Sequence, residues 1–439
     1  MIKSSFREMD LGAIRSAIAP FALGTEVEQR LSNMPDINIV TLGQGGGRKG
    51  AELARFGWDI WMVNSATVDM MEHDWIDRKI VLVDPDRGKI EGTAKNAAVG
   101  HAIAQKNMKE FKKIAIETQD ADLVVIPVAL GGGQGNGSIP TAAEWIVKVR
   151  EMAGKSRTVV FIASLPSRDE SNPDVWKNAL SGLKYLQELI ARKQIGSVML
   201  IDNELIRNYY EKENRLKYHN RSFSALDYSN ITVAKTFFEI MTLPLLGGQV
   251  SLDSAELMEI WSTPGWITVN EREFSFTDEI SLEHEIESLF GKNEVLASLN
   301  VRNSIAGGIA LITGKGKSVS PVIIDQVKPL ANKFLGKPSV LHSAVIQTNS
   351  ITTHSYLIGL SVSPKLPDSL LESLMMKYEE EKKRKEERES NALQSLSALG
   401  GFDSVFDQKM SASGRKQVSL DDLEPIKETG KKRVTLDEI

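Results

Sequence analysis

The chain has 439 residues, 41% of them hydrophobic, enough for two domains and a sizeable core. A formal net charge of −5 argues against a folded body that binds nucleic acid directly, and the lack of cysteine excludes disulfides, a thiol nucleophile and a cysteine metal centre. The first ten residues lack a signal peptide's apolar core, and no stretch approaches the roughly 20 apolar residues of a membrane span. A soluble, cytoplasmic protein with no membrane partner is expected.

Residues 11–34 read as a helical extension. Ile37–Leu42 reads as a short buried strand, and Gly43-Gln44-Gly45-Gly46-Gly47-Arg48-Lys49-Gly50 follows it into a helical stretch. Arg48 and Lys49 add two cations to this loop, which either touch phosphate or point into solvent. Further strands are read at 60–63, 79–83, 123–128, 158–163 and 197–201, alternating with helical runs to about residue 205. That alternation predicts a doubly wound, mostly parallel α/β sheet with ligand loops at the strand C-termini.

The strand at 123–128 runs into Leu130-Gly131-Gly132-Gly133-Gln134-Gly135-Asn136-Gly137-Ser138, with five glycines in the seven positions from Gly131. A reversal needs one or two. Such a loop lets backbone N–H groups converge on an anion at a helix N-terminus, although glycine for close packing is the simpler reading of one run alone. Two glycine loops at two strand ends of one sheet favour a phosphate chain held from both sides. The standard nucleotide loops do not fit. A dinucleotide fingerprint starting at Gly43 has Arg48 at its sixth place, and the strand that follows ends in Asn64 rather than an acid. The one P-loop candidate, Gly316-Lys317-Ser318, has Leu311 where glycine is required. No water-positioning acid is evident beside either glycine loop.

Residues 224–242 read as one long helix, with Asp227, Tyr228 and Asn230 near its start. Asp253 and Glu256 are spaced i,i+3, so they share a face if a helix begins there; they either polarise water together or are ordinary first-turn acids with Ser251 as a cap. Strands are read at 305–313, 340–347 and 355–363, and helices at 283–290 and 321–334. A long helix over 368–394 follows from the i,i+4 pairs Glu379→Lys383, Glu380→Arg384 and Glu381→Lys385, read as a solvated face. Residues 396–439 are poor in large apolar residues and read as a disordered tail, with a basic cluster at Lys431-Lys432-Arg433.

Several segments, in order, resemble the tubulin/FtsZ superfamily. Gly131 to Ser138 is similar to its signature loop, with Gln134 and Asn136 in place of two threonines, whose amide N–H groups can still donate to phosphate. Gly43-Gln44-Gly45-Gly46 is similar to the opening loop, and Gly92-Thr93-Ala94-Lys95-Asn96 to the loop that senses the γ-phosphate. Ile201-Asp202-Asn203-Glu204-Leu205 resembles the segment whose asparagine contacts guanine, and Ser251 to Leu257 the acidic loop. The pattern is most like the plasmid- and phage-borne TubZ branch.

The resemblance implies a GTPase that uses GTP and Mg²⁺ and forms head-to-tail filaments. Gly43, Gln44, Gly45, Gly46, Gly92, Thr93, Ala94, Lys95, Asn96 and Gly131, Gly132, Gly133, Gln134, Gly135, Asn136, Gly137, Ser138 would hold phosphates, with Gln44 at the metal. Asn203 and Asn230 would read guanine, and Asp253 and Glu256 would activate water on the neighbouring subunit's nucleotide. The implied organisation is an N-terminal extension (1–34), a GTP-binding domain (35–222), a central helix (223–247), a smaller α+β activation domain (248–366), a C-terminal helix (367–395) and a tail (396–439). That tail would recruit a DNA-binding adaptor for plasmid or phage segregation. The alternatives are a cell-division GTPase and a filament-forming nucleotide-binding protein that hydrolyses little.

Overall fold

The structure is a computed structural model that describes residues 12–212, 223–276, 281–292, 294–314, 316–317, 319–351 and 354–399. The tail from residue 400, with its basic cluster, lies outside them, as do residues 1–11. By contacts the chain divides into residues 1–382 and residues 383–439.

Two short helices come first, α1 (Gly12–Ala17) and α2 (Thr25–Glu28). Ile14, Ile18, Phe21, Val27 and Leu31 from this stretch are buried in the main hydrophobic cluster, so the extension is packed against the body. The alternation read from the sequence follows as β1 (Ile37–Leu42), α3 (Gly43–Ala54), β2 (Asp59–Asn64), α4 (Val68–Met71), β3 (Lys79–Val81), α5 (Ala97–Lys106), α6 (Met108–Glu117), β4 (Leu123–Ala129), α7 (Gly133–Met152), β5 (Val159–Ser164), α8 (Pro173–Ala191), β6 (Ser197–Ile201) and α9 (Asn203–Lys212). β1, β5 and β6 are buried at every position, as central parallel strands covered on both faces must be. Pro127 sits inside central strand β4, and the β1–β4 pairing breaks there, between Ile39↔Val125 and Leu42↔Val128.

The second half runs α10 (Ala225–Thr242), β7 (Gly248–Val250), α11 (Ser254–Trp261), β8 (Gly265–Phe274), α12 (Leu282–Lys292), β9 (Ala306–Gly314), α13 (Pro321–Phe334), β10 (Val340–Thr348), β11 (Ser355–Ser363) and α14 (Asp368–Leu399). Among the described residues the eleven strands join one sheet, in the order β3-β2-β1-β4-β5-β6-β8-β11-β9-β10-β7. The two halves meet where β8 pairs in parallel with β6, Ser197 opposite Gly265 and Met199 opposite Ile267. Among the described strands the pairs β8–β11, β9–β11 and β7–β10 are antiparallel and the rest parallel, so the sheet is mostly parallel, as the sequence predicts.

Helix α10 is buried almost all round from Tyr228 to Thr242. Ser224 caps it, accepting a bond from the Asp227 N–H at 3.1 Å. Glu239, fully buried in this helix, accepts the Ala19 N–H at 2.7 Å and lies 3.2 Å from Lys235 Nζ, which reaches Glu271 of β8 at 2.7 Å. This network ties the N-terminal segment, the central helix and the second half of the sheet together. Burial, then Glu271, holds the Glu239 carboxyl well above its ordinary value. Burial alone would lower Lys235, but Glu239 and Glu271 outweigh it and raise it.

Helix α14 begins by packing Leu370, Leu371, Leu374 and Tyr378 on the core. Its first turns are therefore amphipathic, where the charge pattern alone reads as a solvated face. Within residues 383–439 the described part of the helix carries a Lys383–Glu387 pair at 3.9 Å.

Candidate functional site

A cavity of about 920 Å³ opens at the C-terminal ends of the parallel strands, where β1, β2, β4 and β5 deliver their loops. Two helices point their N-termini at it. Helix α3 starts at Gly43, whose φ of 69° is the left-handed conformation that glycine adopts freely, and a Cβ there would lie 2.7 Å from the Gly135 nitrogen. Helix α7 starts at Gly133, where a Cβ would fall 2.2 Å from Thr93 Oγ1.

The glycine run divides in two. Gly131, Gly132, Gly133 and Gly135 line the cavity, whereas Gly137 lets α7 close on α5, since a Cβ there would sit 2.4 Å from the Ala97 carbonyl. In the first loop Gly43, Gln44 and Gly45 line the cavity, and Gly46 packs on the Pro127 carbonyl. Some of these glycines line the cavity, and others serve close packing.

Gly92, Thr93, Ala94 and Lys95 line the cavity from a loop in which Gly92, Ala94 and Lys95 all have positive φ, at 72°, 49° and 62°. Non-glycine residues seldom hold that conformation, and such strain gathers at ligand clamps. Asn96 stands just outside and caps α5, accepting the Ala98 and Val99 N–H groups at 3.0 and 3.1 Å.

The side chains of Gln134 and Asn136 turn inward. Gln134 Nε2 donates to Ser138 Oγ at 2.8 Å and to the Gly100 carbonyl at 3.3 Å; Asn136 Nδ2 donates to the Asn178 carbonyl at 2.7 Å. Asn136, Gly137 and Ser138 do not line the cavity. What this loop offers an anion is backbone N–H at the start of α7. Gln134 Oε1, Ser65 Oγ and Ser164 Oγ are buried without a partner on residues that line the cavity.

Asn203 and Asn230 line the far end of the cavity with Ser224, Ala225 and Leu226. Asn203 donates to the Leu165 carbonyl at 2.9 Å and accepts from Ser229 Oγ at 2.9 Å, which fixes its amide plane.

Sequence reasoning missed several residues here. Asp69 of α4 accepts from Gln44 Nε2 and Asn64 Nδ2, both at 2.9 Å, so the cavity does have a carboxylate beside the first glycine loop. Among the described residues there is no group of three or more His, Asp or Glu that could hold a metal. Mg²⁺, which keeps waters and phosphate oxygens, needs only one or two protein oxygens, and Gln44 with Asp69 offers that set. Asp169 and Glu170 line the mouth, facing Arg207 at 3.4 Å and Lys95 at 2.7 Å. Both cations line the cavity, but Arg48 is tied to Glu72 at 2.8 Å and half exposed, while Lys49 is 4% exposed. Burial, then the neighbouring Arg48 charge, lowers Lys49 to about 8.

Asp253 and Glu256 lie elsewhere. Neither lines the cavity; they begin α11, beyond the end of an 18-residue helix that carries the chain about 27 Å from its start at the cavity. They form a reciprocal capping box, the Glu256 N–H donating to Asp253 Oδ1 at 2.8 Å and the Asp253 N–H to Glu256 Oε2 at 3.0 Å. Asp253 is exposed. His342 of β10 bridges Glu256 at 3.0 Å and Glu259 at 2.8 Å.

No family model matches the chain. Known proteins do. Tubulin-like protein TubZ of Bacillus cereus is 23% identical over 80% of this chain and 82% of its own length. Tubulin-like protein CetZ of Pyrococcus furiosus is 23% identical over 84% of this chain and 97% of its own. Among solved structures, a GTPγS-form protofilament of Bacillus thuringiensis serovar israelensis TubZ superposes with a TM-score of 0.67 over 83% of this chain and 94% of that one, at 18% identity. Across most of its length the chain is thus similar in sequence to tubulin-like proteins of the tubulin/FtsZ superfamily, and it shares their fold.

Proposed function

We propose that this protein is a GTP-dependent GTPase that assembles head to tail and completes its active site between subunits. The observation that carries the reading is the separation of Asp253 and Glu256 from the cavity by the length of α10. A single chain holds the nucleotide at one end and the candidate acids at the other, so turnover needs a second copy. Relatives that are filaments or nucleotide-form protofilaments support it.

In this reading the backbone of Gly43 to Gly45 and Gly131 to Gly135, with the loop from Gly92 to Lys95, cradles the phosphates at the N-termini of α3 and α7. Gly46, Asn96, Asn136, Gly137 and Ser138 shape the cradle from behind. Gln44 and Asp69 would hold Mg²⁺, which would supply positive charge against the phosphates. Asn203 and Asn230 face guanine. Asp253 and Glu256, brought by the next subunit, orient and deprotonate the attacking water. The domain limits are those of the sequence reading, 35–222 for nucleotide binding and 248–366 for activation around the helix 223–247.

We assign the protein to the cytoplasm and its filaments to plasmid or phage DNA segregation, through an adaptor held by residues 396–439. The reading with little hydrolysis draws on the inward turn of Gln134 and Asn136, which leaves fewer donors at the γ-phosphate. Calorimetric titration with GTP and ATP, paired with pelleting and phosphate release, tests the proposal. GTP binds far more tightly than ATP, pellets the protein and is hydrolysed in the pellet; equal affinities overturn the guanine assignment.

A further inference from the structure

Helix α8 carries a buried polar side chain that the function above leaves unused. Val175, Asn178 and Gly182 fall at i, i+3 and i+7, so they share one face of the helix, and that face closes on the glycine loop from Gly131. A Cβ on Gly131 would lie 2.5 Å from Val175 Cγ1, and one on Gly182 would lie 2.5 Å from Asn136 Oδ1. Asn178 stands between these two contacts and is 7% exposed.

Its amide nitrogen has two hydrogens and meets two acceptors. Asn178 Nδ2 donates to the Lys95 carbonyl at 2.7 Å, 83 residues away in the chain, and to the Gly131 carbonyl at 3.3 Å, 47 residues away. The Asn178 backbone carbonyl in turn accepts Asn136 Nδ2 at 2.7 Å. One residue of α8 therefore joins the loop from Gly92 to Lys95 to the glycine loop from Gly131. The tie falls where the backbone needs it: Ala94 and Lys95 have φ of 49° and 62°, which persists only where the surroundings impose it. The two loops are also in close packing, since a Cβ on Gly133 would lie 2.8 Å from the Lys95 carbonyl carbon. Lys95, Gly131 and Gly133 line the cavity, whereas Asn178 does not, so it acts on a ligand there through the loops. A phosphate chain held by backbone groups of two loops needs both at a fixed spacing, and a displacement of about 1 Å forfeits much of what preorganisation supplies.

We propose that Asn178 is a positioning residue that sets the spacing of the two loops for the phosphate chain of the nucleotide. The inference rests on the nucleotide reading above. The effect of Asn178 grows with the number of phosphates that a ligand places between the loops.

The test uses the full chain with Asn178→Ala, which removes both donors, and Asn178→Leu, which removes them while nearly keeping the volume. Each is titrated with GTP, GDP and GMP. Both variants should weaken GTP by at least about tenfold, GDP by less, and GMP by no more than about twofold. In the nucleotide-free protein, hydrogen exchange should quicken at residues 92–96 and 131–133 in both. Circular dichroism and a cooperative melt confirm that the variants are folded. A folded Asn178→Leu protein with wild-type GTP affinity would show that filling the site suffices, and would overturn the proposal. An equal loss for all three nucleotides, or unchanged exchange in the two loops, would overturn it too. A wild-type protein that binds none of the three would overturn the nucleotide reading itself, which is a different failure.

Discussion

Replacing Lys235 with methionine removes the cation lying between Glu239 and Glu271, at 3.2 and 2.7 Å, and leaves two carboxyl groups facing each other at the junction of the N-terminal segment at Ala19, α10 and β8. Glu239 is fully buried, so solvent cannot screen what remains. Removing one partner of a buried, hydrogen-bonded ion pair costs about 3–5 kcal/mol, because the survivor keeps its desolvation penalty without its counter-charge. The pH dependence has a definite sign. Glu239 already titrates well above its ordinary 4.5, mainly through burial and then Glu271. The folded state thus holds a proton that the unfolded chain releases above about 4.5, and stability falls as pH rises from there towards the raised value. Without Lys235 the carboxyl rises further and the window widens. Urea unfolding at pH 5.5 and pH 8 reads both effects: Lys235→Met should be destabilised by several kcal/mol at pH 8 and by less at pH 5.5. A loss below about 1 kcal/mol at both values would refute the account of this network.

Three other outcomes follow from the cavity and the acid pair. Asn203→Ala should weaken GTP binding by about 1–3 kcal/mol in a calorimetric titration, the range for leaving a buried polar contact unpaired. Gly133→Ala should fold but bind GTP poorly, because its methyl would meet Thr93 Oγ1 at 2.2 Å and the Asn96 nitrogen at 2.7 Å, displacing the loop from Gly92 to Asn96; unimpaired binding would show that this loop does not frame the nucleotide. His342→Ala frees Glu256 and Glu259 from their shared bridge, and GTP turnover in assembled protein should change while GTP affinity measured below the assembly threshold does not; the reverse pattern would argue against a role at the subunit contact.

Local features were legible in the sequence, and long-range ones were not. β6, α13 and β11 have the bounds that their apolar runs announce, and both glycine loops open on the cavity because a strand end followed by a glycine-led helix is a local device. Strand β8 was not read because its second half, Asn270-Glu271-Arg272-Glu273, is charged, yet it joins the two halves of the sheet through a pairing with β6 almost 70 residues back. Asp69 escaped notice for the same reason, since only the packing of α4 brings it to Gln44, 25 residues earlier. The fates of Arg48 and Lys49 were within reach: a helix starting at Gly43 sets them about 100° apart, so one side chain can face out while the other faces in. Asp253 and Glu256 meet their reading as first-turn acids, since they cap α11 themselves, and Asp253 stays exposed.

The most direct measurement is GTP turnover per molecule as a function of protein concentration, for the wild type and for Asp253→Ala, with pelleting followed in the same samples. If the site is completed between subunits, wild-type turnover is negligible when dilute and rises steeply above an assembly threshold, while Asp253→Ala binds GTP, pellets and fails to hydrolyse, leaving filaments that persist. A turnover per molecule independent of concentration from nanomolar upward, or an Asp253→Ala protein with undiminished GTPase activity, would contradict the shared active site.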